Sequence, residues 1–360
     1  MVGSIRGRSA AALGVYGGFH AVVDYTSAGI VITAAAHYAS SSEHIVLLFI
    51  LYNVLAFGLQ VFIGHASDRF AAPREVALIG GFLVVIAVAT LTPLPLAAII
   101  LVGCGNAFFH VGGGSIALNV TPKRAAAPGL FVAPGALGLF AGTLAARYGH
   151  FTALVPVVLI ALLVLAGYAI ELPHMDYAKV TAGKQRHAWL ILVTLLMAIA
   201  IRSLVGMAIV LTWKSHIALA VVLVLSVFAG KAVGGVLADR FGWAKIAVGS
   251  LLVSTPLLVL YPNVAALAIL GMFLFNFTMP VTLAALSNVL PGRPGLSFGL
   301  TCLALLAGAL PVLKGYTVFG GQLVILAASV IAIAAVYIGL TAGRVRPPRV
   351  TADALELSRD

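Results

Sequence analysis

The sequence predicts an all-α integral membrane protein of twelve transmembrane helices arranged as two pseudosymmetric six-helix bundles, and three observations predict it. First, 62% of the 360 residues are hydrophobic and only 9% are charged, whereas a soluble domain carries about 25% charged and roughly 45–50% apolar residues. Second, polar breaks interrupt the apolar runs about every 30 residues, and one span needs about 20 mainly apolar residues, so a dozen spans take up nearly the whole length. Third, the two halves repeat. GHASDRF at 64–70 is echoed by GVLADRF at 235–241, and TPKRAAAPGL at 121–130 by LPGRPGL at 290–296. Internal repeats of this kind are a mark of transport proteins.

The apolar runs are taken in order. The first, 10–36, follows Arg6 and Arg8 and contains His20 and Asp24; it is too long for a signal peptide and is read as a retained span. The second, 45–64, ends in the first GxxxDRF copy, and the third covers 76–92. The fourth, 95–120, holds Cys104, Asn106, His110 and three consecutive glycines at 112–114. The fifth, 126–147, begins with Pro128, Gly129 and Leu130, and the sixth covers 151–171. The longest polar break follows, with Pro173, Asp176 and three basic residues. Its content predicts a cytoplasmic linker over 173–187 between an N-terminal bundle, 1–172, and a C-terminal bundle, 188–345. The seventh run, 188–212, contains Arg202; the eighth, 216–237, contains Lys231 and leads into the second GxxxDRF copy. The ninth and tenth cover 244–261 and 263–289. The eleventh, 295–315, is opened by Pro294, Gly295 and Leu296 and ends near Lys314. The twelfth covers 320–342, and a cytoplasmic tail is expected over 346–360.

The formal net charge of +11 is a matter of topology. Reading the breaks alternately, one set holds sixteen basic residues (Arg6, Arg8, Arg69, Arg74, Lys123, Arg124, Lys179, Lys184, Arg186, Arg240, Lys245, Arg293, Arg344, Arg346, Arg349, Arg359) and the other only Arg147 and Lys214. Basic loops stay in the cytoplasm, so both termini are expected there, in a multi-pass protein of the cell inner (plasma) membrane. Nucleic acid is not an expected partner. Cys104 and Cys302 lie inside apolar runs of different halves, which argues for packing over a disulfide or a paired metal site.

Ionisable groups within spans are expensive, about 2.5–3.5 kcal/mol each on insertion scales, and are functional candidates for that reason. Asp24 is the only acid deep in any run, and His20 stands four residues before it, on the same helix face. A carboxylate with an imidazole neighbour in low dielectric exchanges protons near neutral pH; the other reading is a buried structural hydrogen bond. Arg202 is suited to a carboxylate or phosphate-like anion, or else to a permanent salt bridge with Asp24. Lys231 either faces a cavity or snorkels to the interface. Asn106 and His110, also four apart, are read as substrate-site groups, His110 alternatively as a proton relay or a satisfied core histidine. Gly14/Gly18, Gly138/Gly142 and Gly230/Gly234 have GxxxG spacing and are assigned to helix packing. His37, His44, His150 and His216 near the outer face leave a weak metal site open, but no resident metal or other cofactor is expected.

The repeated GxxxDRF element resembles the loop signature of the major facilitator superfamily, through Gly64, Asp68, Arg69 and Arg74 in the first copy and Gly235, Asp239, Arg240, Gly242 and Lys245 in the second. Ala71 stands where the first copy would have its second glycine. The resemblance implies that Asp68 latches the eleventh span and Asp239 the fifth, each carboxylate sitting against a helix N-terminus, an interaction typically worth about 0.3–1 kcal/mol. FHAVVDY at 19–25, NAFFHVGGG at 106–114, IRSLVG at 201–206 and GKAVGGVLADRFG at 230–242 further resemble the fosmidomycin-resistance branch, with Val111 in place of that branch's usual proline. The branch implies proton-driven export of small molecules and sets His20, Asp24, His110 and Arg202 among its recurring residues.

No GxxxxGK[ST] phosphate loop, nucleophile elbow or clustered metal ligands occur, and an enzyme is not predicted. The expectation is a monomeric secondary transporter that moves a small anionic organic solute between the halves by alternating access, as proton-coupled export. Uptake by proton symport, a lipid flippase or scramblase, and a non-transporting receptor are the competing readings.

Overall fold

The computed structural model describes residues 2–38, 42–172 and 187–342; the expected linker, apart from His187, and the expected tail lie outside the described residues. Twelve apolar helical segments follow one another. They are α1 Val2–His37, α2 Ser42–Phe70, α3 Pro73–Thr90, α4 Pro95–Val120, α5 Ala126–Arg147 and α6 Leu154–Ala169. After the linker come α7 Ala188–Ala208, α8 Ile217–Phe241, α9 Trp243–Leu260, α10 Ala265–Val289, α11 Pro294–Leu313 and α12 Gln322–Thr341. Eleven of them are long and apolar enough to cross a membrane. The twelfth, α6, has 16 residues and at about 1.5 Å per residue reaches roughly 24 Å, less than a hydrocarbon core of about 30 Å. The run expected at 151–171 is helical only in its middle, because Ile170 turns into extended backbone.

Two helices are interrupted where the sequence reading has continuous spans. In α2 a wide π turn at Val54–Gly58 separates Ser42–Asn53 from Gln60–Phe70. In α10 the helix stops at Phe275 and restarts at Thr278. Pro280 is the cause: it has no N–H for the carbonyl of Asn276 four residues back, which accepts instead from the Met279 N–H at 3.3 Å. Broken helices are tolerated at membrane depth only where protein or a watery cavity receives the freed backbone groups.

Helix packing repeats with a shift of six. The contacts of α1 with α4, α5 and α6 have counterparts in those of α7 with α10, α11 and α12, and α3 packs on α4 and α6 as α9 packs on α10 and α12. Between the first six helices and the last six, contact runs mainly through α2 with α11, α5 with α8, α4 with α11 and α5 with α10, again paired by the same shift. Large apolar side chains such as Phe62, Phe82, Leu154, Trp189 and Leu323 are exposed on the outer surface, where lipid would cover them.

The glycine pairs divide. Gly138 and Gly142 lie directly against the α1 carbonyls of Ala21 and Tyr25, and Gly230 and Gly234 against α10 at Phe273 and Phe277. Gly14 and Gly18, assigned to packing by their spacing, do not behave so: Gly14 has open space at its Cβ position and Gly18 meets only Leu163, at 4.0 Å. Spacing places two glycines on one face without saying whether a helix lies over that face. Gly138→Val is therefore expected to lower stability by about 1–3 kcal/mol or more through overpacking, while Gly14→Ala leaves it unchanged or slightly raised; thermal unfolding of the purified variants in detergent checks both.

Candidate functional site

Four predicted residues come together in one hydrogen-bonded cluster between α1 and α4. His20 Nε2 lies 3.2 Å from Asp24 Oδ2 and His110 Nε2 lies 3.6 Å from Asp24 Oδ1. The Asn106 amide donates to Asp24 Oδ1 at 3.1 Å and to the Ser27 hydroxyl at 3.2 Å. The two imidazoles meet at 2.8 Å between their Nε2 atoms, edge to face. Their other nitrogens are anchored to backbone: His20 Nδ1 to the Phe131 carbonyl at 2.8 Å, and His110 Nδ1 to the Asn106 carbonyl at 2.9 Å. Helical geometry sets this up, since both His20/Asp24 and Asn106/His110 are i,i+4 pairs.

The wall is supplied by α5. Pro134 withdraws the N–H that the Leu130 carbonyl would accept, and in the same turn the Phe131 carbonyl takes the imidazole. Beside it Gly135 faces the cluster, and a Cβ there would collide with His20 and Asp24. Phe19, Phe109 and Phe131 are fully buried around the rings, and Phe298 of α11 reaches His110 at 6.4 Å between centroids. Neither Ser27, Phe131 nor Gly135 was singled out from sequence. Pro134 three residues after Phe131 is the one local signal. The three glycines after His110 do not unwind α4; they admit α3 (Gly112), Phe131 (Gly113) and Phe298 (Gly114).

Arg202 sits elsewhere, on α7, and forms no salt bridge with Asp24. Its Nη2 donates to the Phe275 carbonyl at 3.0 Å, freed by the break in α10, and its guanidinium stacks 4.8 Å from the Phe275 ring. It is 7% exposed, its Nε is buried without a partner, and no carboxylate pairs with it among the described residues. A buried guanidinium with an unused donor carries an uncompensated cost, and its planar donors suit a carboxylate or phosphate-like group. Lys231 of α8 interacts electrostatically with both groups, its charge acting on Asp24, His110 and Arg202. The predicted residues thus divide into an acid–imidazole cluster on the first six helices and two cations on the last six.

The repeated GxxxDRF elements are helical, not loops. Gly64, Asp68 and Arg69 occupy the last turns of α2, and Gly235, Asp239 and Arg240 those of α8. Asp68 accepts from the backbone N–H of Gly295 and Leu296, each at 2.8 Å, at the start of α11. Asp239 accepts from Ala125 and Ala126, each at 2.9 Å, at the start of α5, and from the Trp243 indole at 2.9 Å. Gly64 lies against Gly295, and Gly235 against Ala125, which brings the backbones close enough for those bonds. Arg69 and Arg240 lie near the rings of Phe70 and Phe241. The two contacts lie at one end of the helices and join the first six to the last six.

The copies differ at the turn that ends each helix. Gly242 has φ 101, and Ala71 in the corresponding place has φ 51. The left-handed region costs a residue with a Cβ roughly 1–2 kcal/mol, partly offset by the greater flexibility of glycine when unfolded, about 0.5–1 kcal/mol. Ala71→Gly is expected to raise stability by about 0.5–1 kcal/mol without altering the Asp68 contact, a change that thermal unfolding beside the Asp68→Asn variant resolves.

No protein-family profile and no curated protein sequence matches the chain. Solved structures do. A variant form of the E. coli fucose:proton symporter FucP superposes with a TM-score of 0.71 at 11% identity, over 93% of this chain and 98% of that one. FucP described as a major facilitator superfamily transporter in the outward conformation gives 0.63 at 12%, over 90% and 99%. The human organic anion transporter MFSD10 (TETRAN) gives 0.72 at 11%, over 92% and 99%. At such identities the likeness is one of fold, and with the six-helix repeat, the paired carboxylate contacts and near-complete coverage in both directions, the chain has the fold of the major facilitator superfamily transporters.

Proposed function

We propose that this protein is a secondary transporter that moves a small anionic organic solute across the membrane by alternating access, coupled to protons and running as export. The observation that carries this reading is Arg202: a buried guanidinium with an unused donor and no carboxylate partner among the described residues, on the opposite set of helices from a partly buried carboxylate with two imidazoles. Arg202, with Lys231, is assigned to the solute, and Asp24 with His20 to the proton. Asn106 and His110 hydrogen-bond within the Asp24 cluster and are assigned to its edge, where solute and proton sites meet. The two units that rock are residues 1–172 and 188–345, and Asp68 and Asp239 act as latches closing one end.

Several observations support the finer parts of this reading. The shift-by-six packing supports two equivalent halves, and the sixteen-to-two division of basic residues supports cytoplasmic termini in a plasma or inner membrane, with the latched end on that side. The likeness to a fucose:proton symporter and an organic anion transporter is in keeping with proton coupling and an anionic solute. The motifs around His20, Asp24, His110 and Arg202 favour the fosmidomycin-resistance branch and hence export. A potential of 100 mV contributes about 2.3 kcal/mol per charge moved, enough to drive roughly fifty-fold accumulation per charge.

Reconstitution in liposomes tests the assignment. With labelled organic carboxylates and phosphonates, wild-type protein is expected to show counterflow that an imposed pH gradient accelerates. Asp24→Asn should retain counterflow and lose the response to the gradient, while Arg202→Ala should lose counterflow and ligand-dependent thermal stabilisation by about tenfold or more in concentration, the equivalent of one lost charge-assisted hydrogen bond. Movement of solute along with protons would replace export by uptake. Indifference of the wild type to the gradient would sink the coupling, and lipid translocation surviving loss of both residues would turn the reading to a flippase.

A further inference from the structure

We propose that His20 and His110 hold one proton between their Nε2 atoms, so that the proton site is a histidine dyad with Asp24 as its counterion. The proposal deepens the proton-coupled reading above and rests on it for its role in transport. It follows from counting donors. A carbonyl oxygen only accepts, so His20 Nδ1, at 2.8 Å from the Phe131 carbonyl, carries a hydrogen, and so does His110 Nδ1, at 2.9 Å from the Asn106 carbonyl. A neutral imidazole has one N–H. With both spent at Nδ1, two neutral rings would face each other with bare lone pairs at 2.8 Å. That contact is stable only with a cation between the nitrogens.

Distance decides which cation. An N–H···N hydrogen bond has the separation seen. Two nitrogens bound tetrahedrally to zinc at about 2.0–2.1 Å each stand about 3.3 Å apart, and the 2.8 Å contact is tighter than that. The three groups lie close enough together to be considered as metal ligands, but the pair geometry fits a proton. Charge agrees: a carboxylate beside a singly protonated dyad is neutral overall, which suits a buried site. Asp24 is held towards both rings by the Asn106 amide.

The groups facing the dyad come from each helix packed around it. On α2, Tyr52 lies near Ser27 and Asp24; on α11, Cys302 interacts with Asp24; on α8, Lys231 acts on His110 and Asp24, and Arg202 of α7 acts on Lys231. From α5 the neighbours are Phe131 and Gly135, which carry no charge. Of these only Lys231 brings a positive charge to bear on the dyad directly. When the proton leaves, two lone pairs and a carboxylate face one another, and the His20–His110 contact has to open. His110 packs on Phe298, one turn after the Gly295 and Leu296 amides that hold Asp68, so the opening bears on the α2–α11 contact.

The test is NMR of the full chain in lipid nanodiscs with 15N-labelled histidine, without solute or gradient. Among the nine histidines, two rings should each show a protonated Nδ1 and a scalar coupling across one shared Nε2 proton. His20→Gln and His110→Gln should each abolish that signal, and exposed His216→Gln should leave it. If either variant fails to fold, the wild-type titration serves instead: both rings should release a single proton together. Two bare Nε2 atoms, or two rings titrating independently, would overturn the dyad. Stoichiometric zinc binding at both Nε2 atoms, lost in either variant, would overturn it in favour of a metal. Failure of the underlying reading looks different: an intact dyad with gradient-insensitive transport removes coupling and leaves the proton site, whereas gradient-driven transport without the bridged signal places the proton on Asp24 alone.

Discussion

Hydrocarbon offers no hydrogen bonds, so every polar group carried across it must find its partner inside the protein, and the arrangement of this chain turns on how its few buried charges meet that demand. Asp24 is held by an amide and faces two imidazoles, each imidazole is tied to a backbone carbonyl, and Arg202 shares with the Thr278 hydroxyl a carbonyl at the break in α10. The first cluster is closed on itself. The second is left one partner short, at Nε. That inequality is the basis for assigning the proton to the first cluster and the solute to the second.

Helix interruptions are part of the same account. Pro280 breaks α10 and thereby exposes the Phe275 carbonyl to Arg202, while Pro134 lies in the turn of α5 whose Phe131 carbonyl anchors His20. In both cases a proline that weakens a helix by removing one N–H coincides with a side chain docking on the neighbouring backbone. Glycine plays the complementary part, removing side chains where groups must approach: Gly135 against the cluster, Gly64 and Gly235 under the two carboxylate contacts.

The two carboxylate contacts repeat one arrangement at the same end of the helices. Each carboxylate receives two N–H groups at a helix start, an arrangement that favours anions through the helix dipole as well as through the bonds themselves. In the transport cycle proposed above, these contacts would hold one end shut and open by exchange with water. The two are related by the six-helix shift but are unequal at Ala71 and at the Trp243 indole.

Much was determined by the sequence alone. Membrane residence, the dozen apolar segments, the repeat and the carboxylates at the helix ends all follow from local composition and spacing, because hydrophobic length and i,i+4 periodicity act over one helix at a time. The pairing of His20 with Asp24 and of Asn106 with His110 was legible for that reason. What joined the two pairs was not: the 2.8 Å contact between His20 and His110 spans ninety residues of chain, and only the packing of α1 on α4 and α5 decides it. The same holds for the correction at Gly14 and Gly18, which share a face that nothing covers closely, and for Arg202, whose partner proved to be a backbone carbonyl and not Asp24. A charge announces its cost in the sequence; which group offsets that cost depends on which helices lie side by side.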